Sequence, residues 1–388
     1  MPQPGRLPRR VRAARRPRRQ VSSGLERRHL RGLPPAGGQR VPASGPYDFL
    51  DTEDFIPYRT ESVSRNAIFC VYQNDAYRRF PNLRYRVVDV PGAYCTHVIY
   101  HAAGVTADGS IYSKDPHVRR DGFRHASELK VTYPHLKILL SLGVDPTSPT
   151  HSNSRRAARD LNSSRAFADK AYWWLVNQGF DGLHFDWHQP RAPAARASTS
   201  ATSSCWSPLC AKRFGGRYII TAGVPYQVPQ FPLPDGPTMY DVIRTLKHEV
   251  PRRHRHRLCF SVSLQGNQWT LRSPGAFHVG SPARAAAPVE YPLVCKILLR
   301  DSVDPDGLCS YAVRSRKWIA YEGPRSLTLK LERMRQDVGT PGLCLAVWDL
   351  AFDDFKGDCG NSRSPLMKTI YSSLSATRVW VYPRDTKW

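Results

Sequence analysis

From His184 onward the chain alternates strictly: His184, Asp186 and His188 fall on one face of an extended segment, Phe185 and Trp187 on the other. That is the period of a β-strand. Gly179 before it and Pro190 after it bound the strand. The preceding run, Phe167 to Val176, places its apolar residues at helical spacing. A helix, a tight turn and a strand ending in ionisable residues make one unit of a parallel α/β barrel, where strand C-terminal ends carry the chemistry. Further apolar runs predict strands at 67–72, 96–100, 136–143, 217–225, 258–271, 317–321 and 342–348. Met239-Tyr240-Asp241 opens a helical run through His248, and only about thirty residues separate the strand at 217–225 from the one at 258–271. The expectation is therefore a barrel whose sixth strand is lacking or distorted, leaving two strand edges unpaired.

The segment Asp181-Gly182-Leu183-His184-Phe185-Asp186-Trp187-His188-Gln189-Pro190 resembles the signature strand of the family 18 glycoside hydrolases, the chitinases and chitinase-like lectins. Their pattern is Asp-Gly-x-Asp-x-Asp-x-Glu. Asp181, Gly182 and Asp186 match it, His184 stands at the middle Asp, and His188 stands at the catalytic Glu. The resemblance continues at Cys70 and Cys95, at the Thr-Ala-Gly-Val-Pro of strand five, at Lys317–Tyr321, and at Trp348, which is similar to the Trp forming the floor of the central sugar subsite. It implies disulfides Cys70–Cys95 and Cys295–Cys359 and leaves Cys205, Cys210, Cys259, Cys309 and Cys344 unassigned. Asp75, Ala102 and Val144 stand where the family carries Trp, Phe and Gly.

The resemblance implies an α/β fold, a TIM (β/α)8-type barrel with a small α+β insertion. The expected layout is an Arg/Pro-rich disordered segment at 1–65, barrel strands one to seven at 66–271, a trimmed insertion at 272–322, barrel closure with strand eight at 323–375, and a tail at 376–388. Among 388 residues, 41% are hydrophobic, enough for one large core. The net charge of +25 is concentrated towards residues 1–40, which hold no Lys and a single acid, Glu26. Such a segment reads as unstructured, with anionic polymers as a possible partner. No apolar run of ~18 residues predicts a membrane span, and no signal-peptide pattern follows the basic start. The nine Cys residues, in the placement the family uses, favour an extracellular, oxidising setting.

Most glycosidases use two carboxylates, whereas this family lets the substrate's own N-acetyl oxygen attack while one Glu protonates the leaving oxygen. The candidate catalytic positions are thus His188, in place of that Glu, with Asp186, Asp181 and His184; the candidate sugar-binding residues are Tyr72, Trp348 and Trp269. His188 is a poor substitute acid, because its ring is stiff and a neighbouring Asp186 would hold it charged. Three side chains at alternate positions of one strand span too far for one metal ion, and the lone Cys205/Cys210 pair has no second pair to complete a zinc site. No metal or other cofactor is expected. The function implied is a monomeric chitinase-like protein that binds chitin or N-acetylglucosamine oligosaccharides without hydrolysis. The alternatives are a hydrolase with a displaced acid, a polyanion-binding protein acting through residues 1–40, and the product of a decayed gene that does not fold cooperatively.

Overall fold

The computed structural model describes residues 66–113, 122–144, 153, 156–187, 208–223 and, with short interruptions, 250–375. The predicted N-terminal segment, the run 239–248, His188 and the tail after Ser375 lie outside the described residues.

Seven parallel strands build the main sheet: β1 (Ala67–Gln73), β2 (His97–Val105), β4 (Lys137–Val144), β5 (Gly182–Trp187), β6 (Ile219–Gly223), β7 (Phe260–Ser263) and β13 (Cys344–Trp348). The short β3 (Ile111–Ser113) pairs antiparallel with β2. Their order is β6-β5-β4-β2-β1-β13-β7, the strand sequence of a (β/α)8 barrel cut open at its sixth position. Among the described residues no strand joins β6 to β7. Residues 224–249, which connect them, lie outside the described set.

Each strand splits its side chains between two apolar environments. Ile68, Cys70 and Tyr72 of β1 face the helices, in the large core that also holds Val98, Ile138, Leu183 and Leu345. Phe69 and Val71 face inward with Ile99 and Leu139. The inward residues stack in layers. By register Phe69 lies level with His97, Val71 with Ile99 and Leu139, and Ser141 with His184 and Thr221. The layer at the C-terminal ends holds Gln73, His101, Asp186, Gly223, Ser263 and Trp348. Polarity thus rises towards the end where the chemistry of such barrels sits.

Helices α1 (Gly122–Thr132), α2 (Leu161–Gln178), α4 (Pro324–Val338) and α5 (Pro365–Ser375) flank the sheet. Asp160 caps α2, its carboxylate accepting from Ser163 N–H at 2.7 Å. Gly179 ends the helix at φ 68°, a conformation that favours glycine. Helix α4 buries Leu327, Leu331, Met334 and Val338, the apolar stripe of an amphipathic helix. It also buries Lys330 against Glu322.

The predicted seventh strand, 258–271, proves to be two. Only β7 joins the barrel sheet. After Leu264 and Gln265 the chain enters β8 (Gly266–Leu271), the start of a second, antiparallel sheet. That sheet runs β10 (Ser302–Val303), β11 (Ser310–Arg314), β12 (Lys317–Tyr321), β8 and β9 (Ala283–Val289). One of its faces packs Val289, Ala312, Ile319 and Tyr321 with α3 (Tyr291–Ile297). Alternation alone could not separate the two strands, because the break changes sheet and not residue class.

Three disulfides cross-link the fold. Cys70–Cys95 ties β1 to the entry of β2, and Cys295–Cys359 ties α3 to the segment before α5. The third, Cys259–Cys344, joins the starts of β7 and β13 and was left unassigned by the sequence. Cys210 and Cys309 are free thiols.

Candidate functional site

Among the described strands of the barrel sheet Asp186 is the sole acidic residue. It is buried, at the C-terminal end of β5. His101, on the inward face of β2, places Nε2 2.8 Å from Asp186 Oδ2. The β2–β4 register shifts between Tyr100 and Ala103, and such irregularities re-aim side chains at functional ends of sheets. On the other side Asp186 Oδ1 lies against Gly223 of β6: a Cβ there would come within 2.8 Å of it. Glycine at 223 is what lets the carboxylate lie where it does.

One layer down, His184 Nδ1 lies 2.9 Å from Thr221 Oγ1. Burial lowers its pKa to about 4, against an opposing pull from Asp186, so the ring is neutral at physiological pH. Its Nε2 has no hydrogen-bond partner among the described residues, and neither does Oγ of Ser141, the register neighbour on β4. Two orphaned polar atoms side by side mark a place where a further polar group fits.

Trp348 ends β13, and its indole meets the His101 imidazole edge-on, with ring centroids 5.2 Å apart. Asp349 follows at φ 60°. Its carboxylate accepts from Gln73 Nε2 on β1 (3.1 Å) and from Ser263 Oγ on β7 (2.5 Å). The turn that follows Trp348 is therefore pinned to the strands on both sides. The result is an aromatic face, an imidazole and a carboxylate in sequence around the inner rim. Such a site can stack a sugar ring and accept an amide N–H. Position 188, where the strand would offer an acid, is a histidine.

The model of the glycosyl hydrolases family 18 matches residues 67–270. The chain belongs to this family. An endochitinase of Manduca sexta is 24% identical over 391 residues, spanning 82% of this chain and 69% of the moth protein. Among solved structures, the Group IV chitinase of Ostrinia furnacalis in complex with allosamidin superposes with a TM-score of 0.67 at 20% identity, covering 80% of this chain and 99% of that one. Human YKL-39, described as a pseudo-chitinase with retained chitooligosaccharide binding properties, gives 0.67 at 19% identity and covers 80% and 100%. These likenesses establish the barrel fold.

Against the family pattern the structure sorts the expected site residues. Asp186 and Trp348 come together through His101. His184 lies beneath them, bonded to Thr221 and not to Asp186. Asp181 sits at the opposite end of the sheet: its Oδ2 accepts from Lys130 Nζ (3.0 Å) and from Ile138 N–H (2.8 Å), so it fastens α1 and β4 to the base of β5. Tyr72 is buried on the helix side, against Tyr100 at 5.4 Å and Tyr85 at 6.1 Å. It does not line the barrel interior, because the inward residues of β1 are its neighbours Val71 and Gln73. Trp269 lies on β8 in the second sheet, edge-on to Trp318 at 5.4 Å. His101 was missed by sequence reasoning. The signal was present: His97, Ile99 and His101 alternate on β2, which places a second histidine on the inward face.

Proposed function

We propose that the chain binds chitin or N-acetylglucosamine oligosaccharides at the C-terminal ends of its barrel strands and does not hydrolyse them. The observation that supports this is the meeting of a carboxylate and an indole at the strand ends, together with a histidine at position 188. Asp186 and Trp348 face one another across His101, while the family's proton donor is replaced by His188. Asp186 would accept the acetamido N–H and Trp348 would carry the sugar ring. Without an acid to protonate the leaving oxygen, the substrate's own amide attack is not completed. Three disulfides favour an oxidising compartment, and we assign the protein to the extracellular space on that basis.

Retention on chitin beads tests the reading. The protein is expected to stay bound in high salt, and Trp348→Ala to lose about tenfold or more in affinity, as for other aromatic anchors. A labelled chitooligosaccharide should remain intact after prolonged incubation. Retention only at low salt, or equal retention of the Trp348→Ala protein, would leave charge as the explanation. Fragment release that persists in His188→Ala would point to a displaced acid.

A further inference from the structure

We propose that Asn162 carries an N-linked glycan, added before α2 forms, and that the glycan lies over the outward face of that helix. This inference rests on the extracellular assignment made above. Asn162-Ser163-Ser164 is the one Asn-x-Ser/Thr acceptor in the 388 residues. Such a triplet becomes a site only where the fold leaves room for a bulky polar chain. Asn162 is the second residue of α2 and is exposed. Arg165 and Ala166, one turn on, are exposed as well, and so are Asp169, Trp173 and Val176 beyond them. These positions recur at helical spacing and share one face with Asn162. Trp173 is 58% exposed and Val176 42%, whereas Phe167, Ala171 and Leu175 of the same helix are buried. An indole and a valine on neighbouring turns offer apolar surface to a covering group. Trp173 lies about three turns from Asn162, roughly 16 Å along the axis. A few sugar units rooted at Asn162 span that distance, and the C–H face of a pyranose suits an aromatic ring.

The local fold also fixes when the sugar is added. Acceptor recognition requires the hydroxyl of the third residue, and Ser164 is 1% exposed. Its N–H donates to the Asp160 carbonyl oxygen at 3.0 Å, and Ser163 N–H donates to the Asp160 carboxylate at 2.7 Å. The triplet is thus locked into the first turn of α2 once the helix forms, with its hydroxyl turned inward. Modification belongs to the unfolded chain as it enters the secretory compartment. In the transfer, Asn162 Nδ2 attacks C1 of an oligosaccharide held on a lipid pyrophosphate. The Nδ2–C1 bond forms, the C1–O bond to the pyrophosphate breaks, and Nδ2 gives up one proton. No oxidation or reduction is involved.

The test expresses the full-length chain behind a cleavable secretion leader in insect cells, beside Asn162→Gln and Ser164→Ala. Ser164→Ala keeps the fold, because the hydroxyl that it removes has no partner among the described residues. The secreted wild type should yield a glycopeptide containing Asn162, which peptide N-glycosidase converts to the aspartate form, and both variants should migrate like the enzyme-treated wild type. Hydroxyl-radical footprinting should show more oxidation at Trp173 in the Ser164→Ala protein than in the wild type, with Trp174, on another face of α2, unchanged. A secreted wild type whose Asn162 peptide is unmodified overturns the site and leaves the extracellular assignment untouched, because the leader supplies the route. A glycan at Asn162 with equal Trp173 oxidation in both proteins overturns the covering of the helix face. Protein from its own source that lacks the glycan, beside a leader-borne protein that carries it, places the failure in the extracellular assignment.

Discussion

His97 and His184 are both held neutral by burial, with pKa values lowered to about 4. In the unfolded chain each returns to about 6.5. Their folded values are depressed, so their stabilising contribution is whole above pH 6.5. It is lost as pH falls towards 4, while the unfolded state takes up protons that the folded state refuses. Asp353, which caps α5 by accepting from Leu366 and Met367 N–H, is raised to about 6 by burial and works in the opposite sense over the same range. The two effects separate by mutation. His97→Phe keeps the stacking on Phe69, now at 4.1 Å between centroids, and removes one titrating group. Its melting temperature should fall less between pH 7.5 and pH 5 than that of the wild type; parallel profiles would show that His97 does not contribute. At this scale the sequence was legible only in part. Asp186 and Trp348 could be placed because strand ends and the family pattern coincide there. Tyr72 could not, because a one-residue shift of register exchanges the two faces of a strand, and a tyrosine is equally at home on either. Asp181 has the residue type of a catalytic group. Its pairing with Lys130 depends on a helix far away in sequence.

At the level of elements, the approach of β6 to β5 rests on one position. A Cβ on Gly182 would meet the backbone carbonyl oxygen of Ile219 at 2.1 Å, and backbone cannot move aside as a flexible side chain can. Gly182→Ala should therefore push β6 outward, costing about 3 kcal/mol or more by urea denaturation. It should also separate Gly223 from Asp186, since both depend on the same pairing. A stability within about 0.5 kcal/mol of wild type would mean that the edge strand yields freely. The opposite edge is secured covalently, by Cys259–Cys344, a bridge over a long loop and so worth about 4 kcal/mol in the chain-entropy view. Elements with strong local signals were readable. Helix α2 has Asp160 at its start and Gly179 at its end, and β5 has unbroken alternation. What was not readable was where the barrel hands over to the second sheet. Gly266 begins β8 without a change in hydrophobic period, and only pairing with β9 and β12 distinguishes it from a continuation of β7.

Across the whole molecule, charge and groove make separable demands. The net charge of +25 attracts any polyanion, with an affinity that falls steeply as salt displaces condensed counterions. The proposed stacking on Trp348 and hydrogen bonding to Asp186 would involve an uncharged sugar and carry no such dependence. Residues 1–40 contribute a large block of arginine and one acid, while every candidate groove residue falls within 71–349. Removing 1–40 should thus leave chitotetraose affinity unchanged within about twofold while lowering heparin affinity by about tenfold or more at 50 mM salt, with a shallower salt slope. Loss of chitotetraose binding on that deletion would tie the arm to the groove and would contradict a site built from β2, β5 and β13 alone. If heparin affinity stayed unchanged, the basic character would have to lie on the barrel body, where Arg252, Arg253, Arg255 and Arg257 precede β7. Either pattern would show whether this chain reaches a chitinous surface by its sugar site or is first drawn to whatever acidic polymer surrounds it.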